Sequence, residues 1–325
     1  MAEAAAGRGH GPQGLGARVI VGFIGFGEAG STIAGGLASA GVERIYAFDI
    51  AADDPRLGAT IRDRARRTGT TIVESPAALA RACDLLFSTV TSSSAIDAAA
   101  AIAPSLEPRH VYADLNSVSP ALKQDIGRAV SATGARFVEA AVMAPVLPYG
   151  HRVPMLLGGP GAALFAERMT PLGMRCEVLA AEVGTAAAVK MCRSIVVKGL
   201  EALMCECVLG ASRYDAGAHV FASLNESFPG IDWQKLADYM VGRVVVHGER
   251  RAREMEEVAE TLRAIGVEPI MAEAAARRQQ WSAQLGLRSH FGSAGPRSAA
   301  EVVEVVTRLT ARQEESACDA HSSRQ

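Results

Sequence analysis

Apolar positions in the first 180 residues fall in short runs separated by amphipathic stretches. Residues 19–24 form a run rich in β-formers and too short to span a membrane, the pattern of a buried strand. Runs of the same kind recur at 44–48, 70–73, 84–90, 110–114, 136–140, 153–157 and 176–179. Helical patterns lie between them. After the first run, Ile33, Ala34, Leu37 and Ala38 share one helical face, and Ser75-Pro76 has the form of an N-cap followed by proline at the first helical position. Strands alternating with helices predict an α/β fold with a doubly wound parallel sheet, which binds ligands at the carboxyl ends of its strands.

The pattern changes near Glu182. From 185 to about 210 there is no proline and helix formers dominate, which predicts one long helix. A second long helical stretch covers 232–265, broken in pattern only by Gly242 and Gly248, and further helices are predicted over 271–285 and 299–312. No strand is predicted beyond residue 180. The chain therefore divides into a first domain over 18–183 and an all-helical second domain over 184–312, joined by the long helix. Residues 1–17 and 313–325 are small, polar and rich in Gly or Ser, the composition of disordered tails.

The first predicted strand runs into Gly25-Phe26-Gly27-Glu28-Ala29-Gly30, a G-x-G-x-x-G that opens a helix. In a Rossmann-type dinucleotide site the first glycine makes the turn, the second admits a pyrophosphate, and the third lets helix and strand pack closely. Free N–H groups and the helix dipole then hold the phosphate charge. The next strand ends in Asp49, about where an acid binds the adenosine ribose. Strand, glycine turn, helix, strand and acid in that order predict a nicotinamide-dinucleotide site, with Thr89 and Val90 beside it at the carboxyl edge. A carboxylate at Asp49 favours NAD by accepting from the free 2′-hydroxyl and repelling a 2′-phosphate. Arg56 on a nearby loop keeps NADP open.

Charge and cysteines narrow the class further. A net charge of −2 implies no nucleic-acid partner, and no apolar run reaches spanning length or forms a signal-peptide core. Six cysteines show no metal spacing and read as buried reduced thiols, so a cytoplasmic protein without a metal site is expected.

Oxidising an alcohol with a dinucleotide needs a base for the hydroxyl proton. Lys190 stands in the long predicted helix among almost wholly apolar neighbours. Desolvation there favours the neutral amine, which accepts a proton. A snorkelling surface lysine is the other reading. Three blocks, the glycine turn, Asp114-Leu115-Asn116-Ser117-Val118-Ser119-Pro120, and Gly184 through Lys190 to Ser194, resemble the β-hydroxyacid dehydrogenase superfamily, which includes 3-hydroxyisobutyrate and 6-phosphogluconate dehydrogenases. The resemblance spans about residues 18–312. It implies that Lys190 is the catalytic lysine, that Asn116 and Ser117 hydrogen-bond a hydroxy acid held between the domains, and that the helical domain forms a homodimer. Ser117 or Ser119 before Pro120 equally fits a helix cap.

Two departures from the family pattern reshape the expected pocket. Met143, Ala144 and Pro145 stand where a Ser-Gly-Gly loop usually grips the substrate carboxylate, and Pro145 has no N–H to give. Ser194 replaces the usual asparagine one turn after the lysine. Lys198 follows Lys190 by eight on the same face and is a candidate anion contact, or a solvated lysine near Glu201. His247, Arg250 and Arg251 invite the same idea, but Arg250 with Glu254 and Arg253 with Glu257 have the spacing of surface ion pairs. Trp233 and Tyr239 are expected to pack helices. The chain is thus expected to be an NAD(P)-dependent hydroxyacid dehydrogenase. Imine or ketone reduction on the same scaffold, and a non-catalytic dinucleotide-binding regulator, are the rival readings. Lys190 opposes the first, since such reductases resemble this fold but carry Asp or Tyr at that position.

Overall fold

The computed structural model describes the backbone of residues 19–322 and the side chains of 19–311. The chain divides into two compact units between Ala188 and Val189.

In the first unit the elements are β1 (Ile20–Ile24), α1 (Glu28–Ser39), β2 (Arg44–Phe48), α2 (Gly58–Thr68), β3 (Thr71–Ile72), α3 (Pro76–Ala82), β4 (Leu85–Ser88), α4 (Ala95–Ile102), β5 (Val111–Asp114), α5 (Pro120–Ser131), β6 (Arg136–Val142), β7 (Pro154–Gly158), α6 (Ala162–Met169) and β8 (Arg175–Ala180). They form one eight-stranded sheet in the order β3-β2-β1-β4-β5-β6-β7-β8. Every neighbouring pair is parallel except β6 and β7, which run antiparallel. The wholly parallel sheet expected from the strand–helix alternation is corrected there. Residues 143–153 are too few for the crossover that a parallel neighbour needs.

Side chains alternate across the sheet and fill two cores. Phe23, Leu85, Phe87, Val111 and Val138 pack with Ile33 and Leu37 of α1 and Phe165 of α6. On the other face Ile24, Leu86, Tyr112 and Phe137 pack with Leu79 of α3, Ile102 of α4 and Ile126 of α5. Ser75 caps α3 as its sequence predicts, accepting from the Ala78 N–H at 3.1 Å ahead of Pro76.

The second unit is helical: α7 (Thr185–Ser212), whose first turn belongs to the first unit, then α8 (Gly217–Ser227), α9 (Trp233–Ala264), α10 (Ile270–Gln284), α11 (Leu287–Phe291) and α12 (Ala299–Ser322). Helices α8 and α11 carry no signal strong enough to be expected from the sequence. Helix α9 runs unbroken through Gly242 and Gly248. At Gly248 a side chain would meet the Gln279 carbonyl oxygen at 2.7 Å, so this glycine lets α9 and α10 approach rather than interrupting a helix. Helix α12 continues through 313–322, which composition assigned to a tail. That segment contains several strong helix formers, Gln, Glu and Ala. The other expected tail, 1–17, lies outside the described residues.

Candidate functional site

The glycine turn sits where the sheet reverses its strand order, between β1 and β4. Ligands bind open α/β sheets at this point. Gly25 has φ +81°, and a side chain on it would lie 2.7 Å from Val90 Cγ1 and 2.9 Å from the Thr89 carbonyl oxygen. Thr89 donates its hydroxyl to the Gly25 carbonyl at 2.6 Å, tying the turn to the end of β4. A side chain on Gly30 would be equally tight, at 2.6 Å from Thr89 Oγ1 and 2.8 Å from the Gly25 oxygen.

Gly27 differs from both: a methyl added there meets nothing within 4 Å. It is the N-cap of α1 and no side chain caps the helix. No side chain therefore serves the first-turn N–H groups, and Glu28 is exposed and Ala29 half-buried beside them. This is a cradle that a pyrophosphate fits. Phe26 contributes through its backbone only, because its ring is fully buried against Phe23. Its N–H donates to Asp49 Oδ2 at 2.7 Å, while Asp49 Oδ1 accepts from Ala51 at 2.9 Å. Beyond Asp49 the Ile50 side chain stands 91 % exposed.

A second cluster lies one strand further along. Ser88, Asp114 and Glu139 are register partners on β4, β5 and β6 and form a single polar row at the carboxyl end of the sheet. All three are fully buried. Asn116 follows β5 and is buried too. Its Nδ2 donates to Ser88 Oγ at 2.9 Å, its N–H donates to Asp114 Oδ1 at 2.9 Å, and its Oδ1 has no partner. Ser117 is exposed beside it. Of the two serines considered as caps, Ser119 caps α5, accepting from the Leu122 N–H at 3.3 Å.

Lys123 of α5 enters this row from the helix side, 1 % exposed. Its Nζ donates to the Asp114 carbonyl at 2.7 Å and lies 3.4 Å from Asp114 Oδ2. Burial lowers its pKa, and the fields of Asp114 and Glu139 oppose that shift. Glu139 in turn accepts from the N–H groups of Gly184 and Ala187, at 2.6 and 2.5 Å, at the start of α7. Neither Lys123 nor Glu139 was singled out from the sequence. A signal existed for Lys123, which shares the i, i+3, i+4, i+7 stripe with the buried Ile126, Gly127 and Val130.

Within the second unit, Lys190 and Ser194 are half-buried on α7. Lys198, two turns beyond Lys190, is nearly buried, and its Nζ lies 3.0 Å from Glu254 Oε2. Glu254 also pairs with Arg250, as the spacing predicts, whereas Arg253 pairs back to Glu249 rather than forward to Glu257. Arg251 is buried and ion-paired with Glu201 at 2.5 Å. His247 is held below its ordinary pKa by burial and by Arg250, Arg243 and Arg288, with Glu254 opposing. Trp233 packs as expected, but Tyr239 is 57 % exposed and accepts from Arg243 at 3.0 Å.

Of the five cysteines with described side chains, Cys83 and Cys205 are buried, and burial pushes Cys83 up to about 12. Cys192 is exposed, against the expectation of a buried thiol. Among the described residues no group of His, Cys, Asp or Glu is placed to hold a metal, and no helix is long and apolar enough to cross a membrane.

Comparison with known proteins accords with this geometry. Residues 20–160 match the NAD binding domain of 6-phosphogluconate dehydrogenase, and residues 211–282 match a domain of unknown function, DUF1932. A conserved hypothetical protein from Sinorhizobium meliloti is 35 % identical, with 90 % of this chain and 97 % of that one covered and a TM-score of 0.80. A conserved protein of unknown function, described as structurally similar to 3-hydroxyacid dehydrogenases, is 29 % identical over 82 % of this chain and 97 % of its own, with a TM-score of 0.72. The mitochondrial 3-hydroxyisobutyrate dehydrogenase of Drosophila melanogaster is 26 % identical over 218 residues, 66 % of this chain and 64 % of that protein.

Proposed function

The chain belongs to the β-hydroxyacid dehydrogenase superfamily and binds NAD(P), and from that premise we propose that it oxidises or forms a hydroxy acid, with Lys190 as general base and acid. The observation that carries the reading is the cradle at Gly27, open to a ligand and backed by an uncapped helix, with Asp49 beside it. The dinucleotide, when bound, supplies the hydride acceptor.

The chain's own residues supply the remainder. The Lys190 amine takes the hydroxyl proton at Nζ as the carbinol C–H bond gives up its electron pair and the carbon–oxygen bond becomes a carbonyl. In the reverse direction the ammonium returns that proton. Asn116, Ser117 and Ser194 orient the substrate through hydrogen bonds. Lys198 adds positive charge two turns along α7, tempered by Glu254. NAD is preferred over NADP, because Asp49 repels a 2′-phosphate and the exposed Ile50 offers it no cation.

The test is a cofactor-reduction screen over a panel of hydroxy acids with NAD and NADP in parallel and Lys190→Ala as control. The expected result is turnover with NAD that falls by at least about a thousandfold in the variant while cofactor affinity is kept. Turnover that survives the substitution removes Lys190 as the base. Binding without turnover on any acid removes the dehydrogenase reading.

A further inference from the structure

Three charged side chains are buried together in the first unit. Asp114 and Glu139 stand side by side on β5 and β6, and the Lys123 ammonium lies on their face of the sheet. One ammonium does not balance two carboxylates, and an uncompensated carboxylate in such a place is strongly unfavourable. The other compensation comes from α7. Its first turn presents N–H groups with no partner inside the helix and the positive end of its dipole. Glu139 takes two of them, from Gly184 and Ala187.

The surrounding sequence is shaped to this contact. Gly158, the β7 partner of Glu139, has no side chain where one would lie 2.9 Å from Glu139 Oε2 and 3.1 Å from the Glu182 oxygen. Gly184 has φ +107°, a turn only glycine makes without strain. Gln124 of α5 adds a second fastening, donating to the Val183 carbonyl at 3.2 Å. One helix turn of α5 therefore holds the end of β5 through Lys123 and the lead into α7 through Gln124, just after the Asn116–Ser117 turn.

We propose that Glu139, with Lys123 and Gln124, is a positioning group for the reaction: it fixes the start of the helix on which Lys190 is carried. The assignment rests on the reading of Lys190 as the base. Glu139 touches neither substrate nor cofactor and acts through α7. Its carboxylate binds both N–H groups at once, whereas a glutamine accepts one and sets an amide donor against the other.

The test compares wild type, Glu139→Gln and Gln124→Ala by amide hydrogen exchange and by the hydroxy-acid assay. In Glu139→Gln the peptide over 183–190 is expected to exchange at least about tenfold faster, with the β1 peptide unchanged and the NAD dissociation constant within about twofold of wild type. On a turned-over acid, kcat falls by about tenfold or more while KM stays within about twofold, and the acidic limb of the pH–rate profile moves with it. Gln124→Ala, on an exposed side chain, shifts exchange at 183–190 in the same direction, and decides the matter if the glutamine variant does not fold. Unchanged exchange at 183–190 overturns the proposal. So does faster exchange with wild-type kcat. If wild type turns over no acid, the dehydrogenase reading fails by itself, and the exchange result still decides whether Glu139 holds α7.

Discussion

The Asp49 carboxylate accepts the Phe26 N–H at 2.7 Å, so the acid that ends β2 and the second residue of the glycine turn are held as one piece. The carboxylate that we propose binds the adenosine ribose thus also sets the shape of the glycine turn. Asp49→Asn loses the charge and one of the two acceptors, setting an amide donor against the Phe26 or the Ala51 N–H. It is expected to weaken NAD binding by about tenfold and to narrow the preference over NADP, since the repulsion of a 2′-phosphate goes with the charge. Titration with both cofactors measures this. An unchanged ratio of the two affinities refutes the role in selectivity.

The three glycines of the turn separate by what a methyl group would meet. Gly27→Ala is expected to leave the melting temperature of the free protein within about a degree or two and to weaken cofactor binding by more than about tenfold, because the methyl meets no protein atom and fills the space we assign to the pyrophosphate. Gly25→Ala is expected to destabilise the free protein by about 1–3 kcal/mol through its positive φ and its contacts with Thr89 and Val90. Thermal melts with and without NAD distinguish the two.

Glu201 holds the helical unit together from a fully buried position on α7. Its carboxylate takes Arg243 at 3.0 Å and Arg251 at 2.5 Å, with Gln279 at 3.2 Å, and so joins α7, α9 and α10. Glu201→Ala leaves the buried Arg251 unpaired and is expected to cost about 3–5 kcal/mol. Denaturant unfolding reads it. A loss below about 1 kcal/mol means the pair is solvated in solution.

His247 makes stability depend on pH. Its folded-state pKa lies below the ordinary 6.5, through burial and through Arg250, Arg243 and Arg288. The unfolded chain therefore takes up a proton that the folded chain resists, and stability is lost as pH falls through 6.5 toward the folded value. Melting curves of wild type and His247→Gln are expected to keep a constant separation above about pH 7.5 and to shift against wild type toward about pH 5. Parallel curves throughout count against the shift.

The glycine turn, Asp49 and the long helices are legible in the sequence because each answers a local requirement, either a backbone conformation or a repeat of apolar positions. The row of Ser88, Asp114 and Glu139 is not. Its members lie on three separate strands, and only sheet register brings them side by side. Lys123 is hidden differently: next to Gln124 and Asp125 it reads as a solvated face, and only its place on the apolar stripe of α5 points inward. Lys198 shows the converse. Helical spacing placed it on the face of Lys190, but its partner Glu254 lies on another helix, α9, more than fifty residues along the chain.

The antiparallel step from β6 to β7 leaves residues 143–153 crossing the carboxyl edge of the sheet as a loop, with one short 3-10 turn at Gly150–Arg152 packed against α1. The segment is moored at both ends. Met143 donates its N–H to the Pro154 carbonyl at 2.9 Å, and the buried His151 fills the notch at Gly36 of α1, where a methyl would come within 2.1 Å of its ring. Between the moorings, Leu147 and Tyr149 stand in solvent. The exposed stretch around Leu147 and Tyr149 can therefore change without disturbing sheet or α1, whereas Ala144 and Val146 pack against the core and His151 against α1. On the proposed reading, a lineage that keeps the scaffold and varies the exposed residues of this loop has a direct route to new substrates.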